Sequence, residues 1–137
     1  MGTTVQLNLR SSEDTAALER RFRAQLSARV ADSSGYWIQF RDADDEDREW
    51  AQKEYGFEPT TLGMVSPPRG VGEADIDAAA LALAHESGAE LALTLDAEPM
   101  LLYREGVAYP LESEREFFER YVLPGFPGRV DWERLRR

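Results

Sequence analysis

Residues 90–109, ELALTLDAEPMLLYREGVAY, decide the fold. Glu90 to Leu95 places three Leu on one side of an extended run, with Ala92 and Thr94 on the other. Such period-two alternation is the signature of a strand. Asp96-Ala97-Glu98-Pro99 reads as a turn, Met100 to Tyr103 as a returning strand, Arg104-Glu105-Gly106 as a second turn, and Val107 to Tyr109 as a third strand. Three short strands joined by tight turns form an antiparallel meander, and the rest of the chain has to be fitted onto its edge.

Upstream, strands and helices alternate. Thr4 to Leu9 points Val5, Leu7 and Leu9 one way and Gln6 and Asn8 the other. Ser11 or Ser12 offers a helix cap, with Glu13 and Asp14 in the first turn, and Leu18, Phe22, Leu26 and Val30 form a stripe at spacing four. Asp32-Ser33-Ser34-Gly35 breaks that helix. Tyr36, Ile38 and Phe40 then alternate with Trp37 and Gln39 as a second strand.

The stretch DADDEDREWAQKEYGFEP (residues 42–59) has the start, body and stop of a helix. Asp42, Asp44 or Asp45 caps it, acids fill its first turn, Trp50 and Tyr55 face inward, and Gly56 ends it before Pro59. Thr60 to Val65 is a strand weakened by Gly63, and Ser66 to Gly72 a loop. An Ala-rich helix runs from Ala74 to Ser87 and stops at Gly88. After the meander, Ser113 and Glu116 have capping-box spacing ahead of Phe117, Phe118, Tyr121 and Val122. A turn-rich tail follows, and residues 129–137 read as one helical turn. The expected order is β-α-β-α-β-α-β-β-β-α. That is an α+β fold with one mixed or mostly antiparallel sheet, helices mainly on one face, and a ferredoxin-like core. With 137 residues, one domain (1–137) is expected.

Composition excludes several functions. There are no cysteines, so a disulfide framework, a thiolate metal site and a cysteine nucleophile are ruled out. The first residues carry no secretory signal pattern, and the longest apolar run is Ala78 to Ala84, so a cytoplasmic chain is expected. A net charge of −10 opposes binding to nucleic acid or to an anionic membrane and favours a basic protein partner.

The acidic stretch has the density of a calcium loop without its pattern. Counted from Asp42, the sixth residue is Asp47, where an EF-hand requires Gly. A solvated helix start is the better reading, and no metal or other cofactor is expected. His85 is the sole histidine and has no zinc-motif companion, so a structural role is favoured. Asp96 and Glu98 could serve hydrolysis, but acids at turns are commonplace. Gly70-Val71-Gly72 falls short of a phosphate loop. No catalytic residues are assigned. Trp37 reads as an exposed partner anchor or as a side chain under a second layer, the latter favoured. The Phe117 to Val122 stripe reads as core first and as a homodimer contact second, which leaves monomer or homodimer open.

EYGFEPT (residues 54–60), the Ala-rich helix and residues 88–111 together resemble the C-terminal half of the myxobacterial swarm-exclusion immunity proteins, third Sit type. Ala97 departs from that family's turn, which has Gly. The resemblance implies a non-enzymatic cytoplasmic antidote that binds and neutralises a polymorphic toxin. Nuclease toxins have basic clefts, and an acidic inhibitor suits them. On this reading Asp42, Asp44, Asp45, Glu46, Asp47 and Glu49, with Trp37, form the partner surface. Arg41 to Trp50 holds six acids against two Arg. The alternatives are a small regulatory or ligand-binding domain using the sheet face or the loop at Ser66 to Gly72, and a small carboxylate- or metal-dependent hydrolase using Asp96, Glu98 and the Asp42 to Asp47 acids.

Overall fold

A computed structural model describes residues 3–135. The expected reading of the first two residues and of 136–137 lies outside them. The elements run β1 (Val5–Arg10), α1 (Thr15–Ser27), β2 (Trp37–Asp42), α2 (Asp45–Tyr55), β3 (Thr61–Ser66), α3 (Ala74–Ser87), β4 (Glu90–Leu95), β5 (Glu98–Arg104), β6 (Val107–Pro110), a short composite helix from Glu112 to Val122, and β7 (Arg129–Val130). One sheet has the order β2-β3-β1-β4-β5-β6-β7. All its pairs are antiparallel except β6 with β7. The β2-β3-β1-β4 part, with α1 and α3 as crossovers on one face, is the ferredoxin-like arrangement that the alternation predicted. The meander extends it through β5 and β6.

The two faces differ. Val5, Leu7 and Leu9 of β1 join Leu91, Leu93, Leu101 and Tyr103 beneath Leu18, Phe22 and Leu26 of α1 and Ile76, Ala80 and Leu83 of α3 in the main core. The small side chains of α3 let it lie close to the sheet and to α1. Among the described residues, α2 is the helix on the opposite face. Its Ala51 and Tyr55, with Phe57, cover Ala92 and Leu102.

Both meander turns are tight two-residue reversals. Asp96 and Ala97 have φ of 52° and 64°, and Glu105 and Gly106 have 50° and 83°. Paired left-handed residues give the hairpin twist that matches the strands. The first turn is therefore shorter than expected, and Glu98 and Pro99 belong to β5. Proline is accommodated at the strand start, where the register with β4 shifts between Leu93 and Thr94.

Gly63 also has a reason. Its register partner is Phe40, and a Cβ at Gly63 would meet the Phe40 ring at 2.8 Å. That ring packs on Phe22 at a centroid distance of 5.7 Å. Gly63→Ala is therefore expected to destabilise by about 1–2 kcal/mol through overpacking, read as a lower denaturant midpoint with an unchanged slope.

Three expectations fail. Helix α1 is capped by Asp14, whose carboxylate accepts from the Ala17 N–H, not by Ser11 or Ser12; Ser11 Oγ instead accepts from the Glu13 N–H. The Ser113–Glu116 capping box does not form. That segment is a 3-10 turn, one α turn and a π turn, with Phe118 and Val122 buried and Tyr121 exposed. Residues 129–130 are a strand, not a helical turn: the outer edge of β6 offers unpaired backbone groups, and Arg129 N–H donates to the Gly106 carbonyl.

Candidate partner surface

The surface is built at the junction of β2 and α2. Asp44 caps α2 by accepting from the Asp47 N–H at 2.8 Å, and Asp47 accepts in return from the Asp44 N–H at 2.9 Å. This reciprocal box satisfies two backbone donors that the helix leaves open. Gly56 closes the other end at φ 83°. Local chemistry therefore accounts for two of the six acids. Asp44→Ala should cost about 1 kcal/mol of stability, measured by urea unfolding, with Asp44→Asn retaining most of it.

Asp47 is committed further. Arg41, near the end of β2, reaches it with both terminal nitrogens, the shorter contact being 2.7 Å. The Arg41 guanidinium holds the Asp47 carboxyl below the usual range, with help from the Asp44 N–H and against some desolvation. Arg48 pairs with Asp45 and donates to the Ala43 carbonyl. Asp42 accepts from the Thr15 hydroxyl. Glu46 and Glu49 are exposed; Glu49 makes only a loose 3.8 Å contact with Lys53, both side chains about three-quarters exposed. A contact of that kind contributes little. The outward charge of the helix start is thus carried best by Glu46 and Glu49.

Trp37 is 50% exposed, so the second layer expected to cover it is absent among the described residues. It shares the α2 face of β2 with Gln39 and Arg41, because side chains alternate along a strand. Trp37 pairs with Ser66 at one end of β3, and Asp42 with Thr61 at the other. Five residue steps along the strand separate them by about 17 Å. The acids form one cluster, therefore, and Trp37 stands apart from it along the same edge.

Trp50 was expected to face inward and does not: it is 42% exposed. The inner stripe of α2 is Ala51 and Tyr55, four residues apart, and Trp50 lies one step around the helix from Ala51. Its ring stands edge-on to Tyr55 at 5.5 Å. Tyr55 itself is buried, and burial, with a smaller push from Glu54, raises its phenol to about 12. Trp50, Glu46 and Asp47 line a shallow cleft of about 220 Å³ with Gln6 and Asn8 of β1. Sequence reading passed over Gln6 and Asn8. Their place on the polar side of β1 was visible, but not that α2 would cross above them.

The acids proposed for hydrolysis do not converge. Asp96 follows Leu95, which pairs with Val5 at the start of β1, whereas Asp42 pairs with Thr61, opposite Leu9 at its far end. Among the described residues no group of three His, Asp or Glu could hold a metal ion. His85 donates to or accepts from the Tyr103 hydroxyl through Nδ1 at 2.8 Å and packs edge-on against Phe126. A further cleft of about 270 Å³ lies between α1, α3 and residues 122–127, away from the loop at Ser66 to Gly72. Among the described residues no helix is long and apolar enough to cross a membrane.

No protein-family model matches the sequence, and no curated protein does. The fold is similar to that of a chain in the CdiA-CT/CdiI toxin and immunity complex from Burkholderia pseudomallei. The two share 22% identity at a TM-score of 0.52, over 70% of this chain and 93% of that one. At that identity the likeness establishes a common fold.

Proposed function

We propose that this chain is an immunity protein that binds and neutralises a cognate, basic bacterial toxin in the cytoplasm, without catalysis of its own. The observation that carries the reading is the surface on the α2 side of the sheet. There, half-exposed Trp50 stands beside a cluster of acids, with half-exposed Trp37 farther along the same edge, in a chain of net charge −10. Aromatic anchors in a field of one sign are what a protein of opposite charge recognises, the rings giving affinity and the charge giving speed. The shared fold with a chain of a toxin and immunity complex supports the same reading. So does the swarm-exclusion resemblance in residues 54–60 and 88–111, although assignment to the third Sit type rests on that resemblance alone.

The test is capture of the partner from lysate of the source organism on the immobilised chain, at low and at high salt. The expected outcome is one basic protein at one-to-one stoichiometry, retained less at high salt. Recovery of only the chain itself, or of an acidic protein, contradicts the proposal.

A ligand-binding module is the second reading, favoured by the cleft between α1, α3 and residues 122–127. It predicts a rise of several degrees in melting temperature with a small molecule, by binding linkage.

A further inference from the structure

We propose that the cleft between Trp50 and β1 is a socket for a single arginine side chain of the partner. This deepens the immunity reading and rests on it for the identity of the donor protein.

Among the described residues, every side chain lining the cleft carries a hydrogen-bond acceptor or an aromatic face. Trp50 forms one wall, its ring steadied edge-on by Tyr55. Glu46 lies one helical turn before Trp50 and therefore projects from the same side of α2. Asp47 adds carboxylate oxygens whose charge Arg41 already balances. The floor is amide. Asn8 is buried, donates from Nδ2 to the Ala92 carbonyl at 3.0 Å, and accepts from Gln6 Nε2 at 3.2 Å through Oδ1. Gln6 gives one Nε2 hydrogen to Asn8 and presents its carbonyl oxygen as an acceptor. Among the described residues no cation lines the cleft.

A cationic, flat donor fits these walls. A guanidinium stacks on an indole face while its five N–H groups reach a carboxylate and an amide oxygen in one plane. An ammonium satisfies the charge but not the stacking. An anion would meet the Glu46 and Asp47 carboxylates. At about 220 Å³ the cleft holds one long side chain, not a peptide segment. The charge of the patch favours a basic partner, and the cleft is the place where one of that partner's arginines would be desolvated and held.

The test separates the socket from the immunity reading by using a peptide probe. Acetyl-Gly-Arg-Gly-amide is titrated into the chain up to about 100 mM, and the indole N–H resonance of Trp50, assigned by its loss in Trp50→Phe, is followed by NMR. Acetyl-Gly-citrulline-Gly-amide, of the same shape without charge, is the control. A saturable shift of the Trp50 signal with the arginine peptide is expected, at least about threefold weaker with citrulline and about threefold weaker in Glu46→Gln. Glu46 is exposed, so that variant keeps the fold. Equal shifts with the two peptides, no saturation, or a response confined to Trp37 and Trp132 overturns the socket. A Trp50 shift on simple dilution of the chain assigns the cleft to a second copy and overturns it as well. A positive peptide result alongside failed partner capture rejects the immunity reading while leaving the socket standing.

Discussion

Asp77→Ala is expected to stabilise the fold by roughly 2–3 kcal/mol at pH 7, the usual scale for removing a buried polar group that lacks a partner. Asp77 lies in the first turn of α3, is 1% exposed, and neither carboxylate oxygen has a hydrogen-bond partner among the described residues. Burial pushes its carboxyl well above the ordinary value of 3.8, and the nearby Glu73 pushes in the same direction. The sign of the pH dependence follows. The folded chain holds this proton more tightly than the unfolded one. The contribution to stability is therefore fully present below about pH 4 and is lost as pH rises towards the elevated folded value. Wild type should lose this component between pH 4 and neutrality, and Asp77→Ala should not. Chemical denaturation at pH 4.5 and pH 7 measures it. A variant less stable than wild type at pH 7, or an equal difference at both values, would contradict the account.

Glu46→Lys with Glu49→Lys is expected to slow association with a basic partner by roughly tenfold at low ionic strength, while dissociation changes less. Each substitution replaces −1 by +1, so the net charge moves from −10 to −6 at one place. Neither side chain belongs to the capping box; a lysine at position 46, in the first turn, opposes the helix dipole by only a few tenths of a kcal/mol, and position 49 lies beyond that turn. Reversing Asp44 or Asp47 would confuse two effects, because those residues hold the start of α2 and the Arg41 contact. The difference between variant and wild type should shrink as salt is raised, since a Debye length of about 8 Å at physiological ionic strength screens exposed charge. Stopped-flow association at two salt concentrations is the measurement. An unchanged rate at low salt would remove the acids from the encounter.

Much of the architecture was legible because local and tertiary signals agree in it. Asp44 and Gly56 bracket α2 by cap chemistry that needs no tertiary partner. Gly88 does the same for the end of α3. Val5, Leu7 and Leu9 announce a strand with one buried side, and the spacing of Leu18, Phe22 and Leu26 announces the helix above it. The ferredoxin-like order follows from strands that alternate with helices and pair antiparallel.

What escaped depends in part on groups distant in sequence and in part on helical spacing that was misjudged. Arg129 and Val130 become a strand only because the edge of β6 is there to receive them. Ser113 and Glu116 have the spacing of a capping box, but the packing of Phe118 and Val122 takes the segment through 3-10 and π turns instead. Asp77 drew no attention in the sequence. Its position four residues before Leu81 and seven before Ala84, both buried, was the overlooked sign that it lies on the inner stripe. In the partner surface, the acids could be read as a group because they are contiguous. Trp50 could not, since its inward assignment ignored the single helical step that separates it from Ala51. Gln6 and Asn8 come to Trp50 only through the crossing of α2 over β1.

The most direct test of the central claim is neutralisation. The basic protein captured on this chain is expressed alone and together with it, in a host that lacks both, and growth is followed. The account predicts arrest when the partner is expressed alone, rescue by the wild-type chain, and weaker rescue by Glu46→Lys with Glu49→Lys. A partner that is harmless by itself, or one whose toxicity the chain leaves untouched, would contradict it.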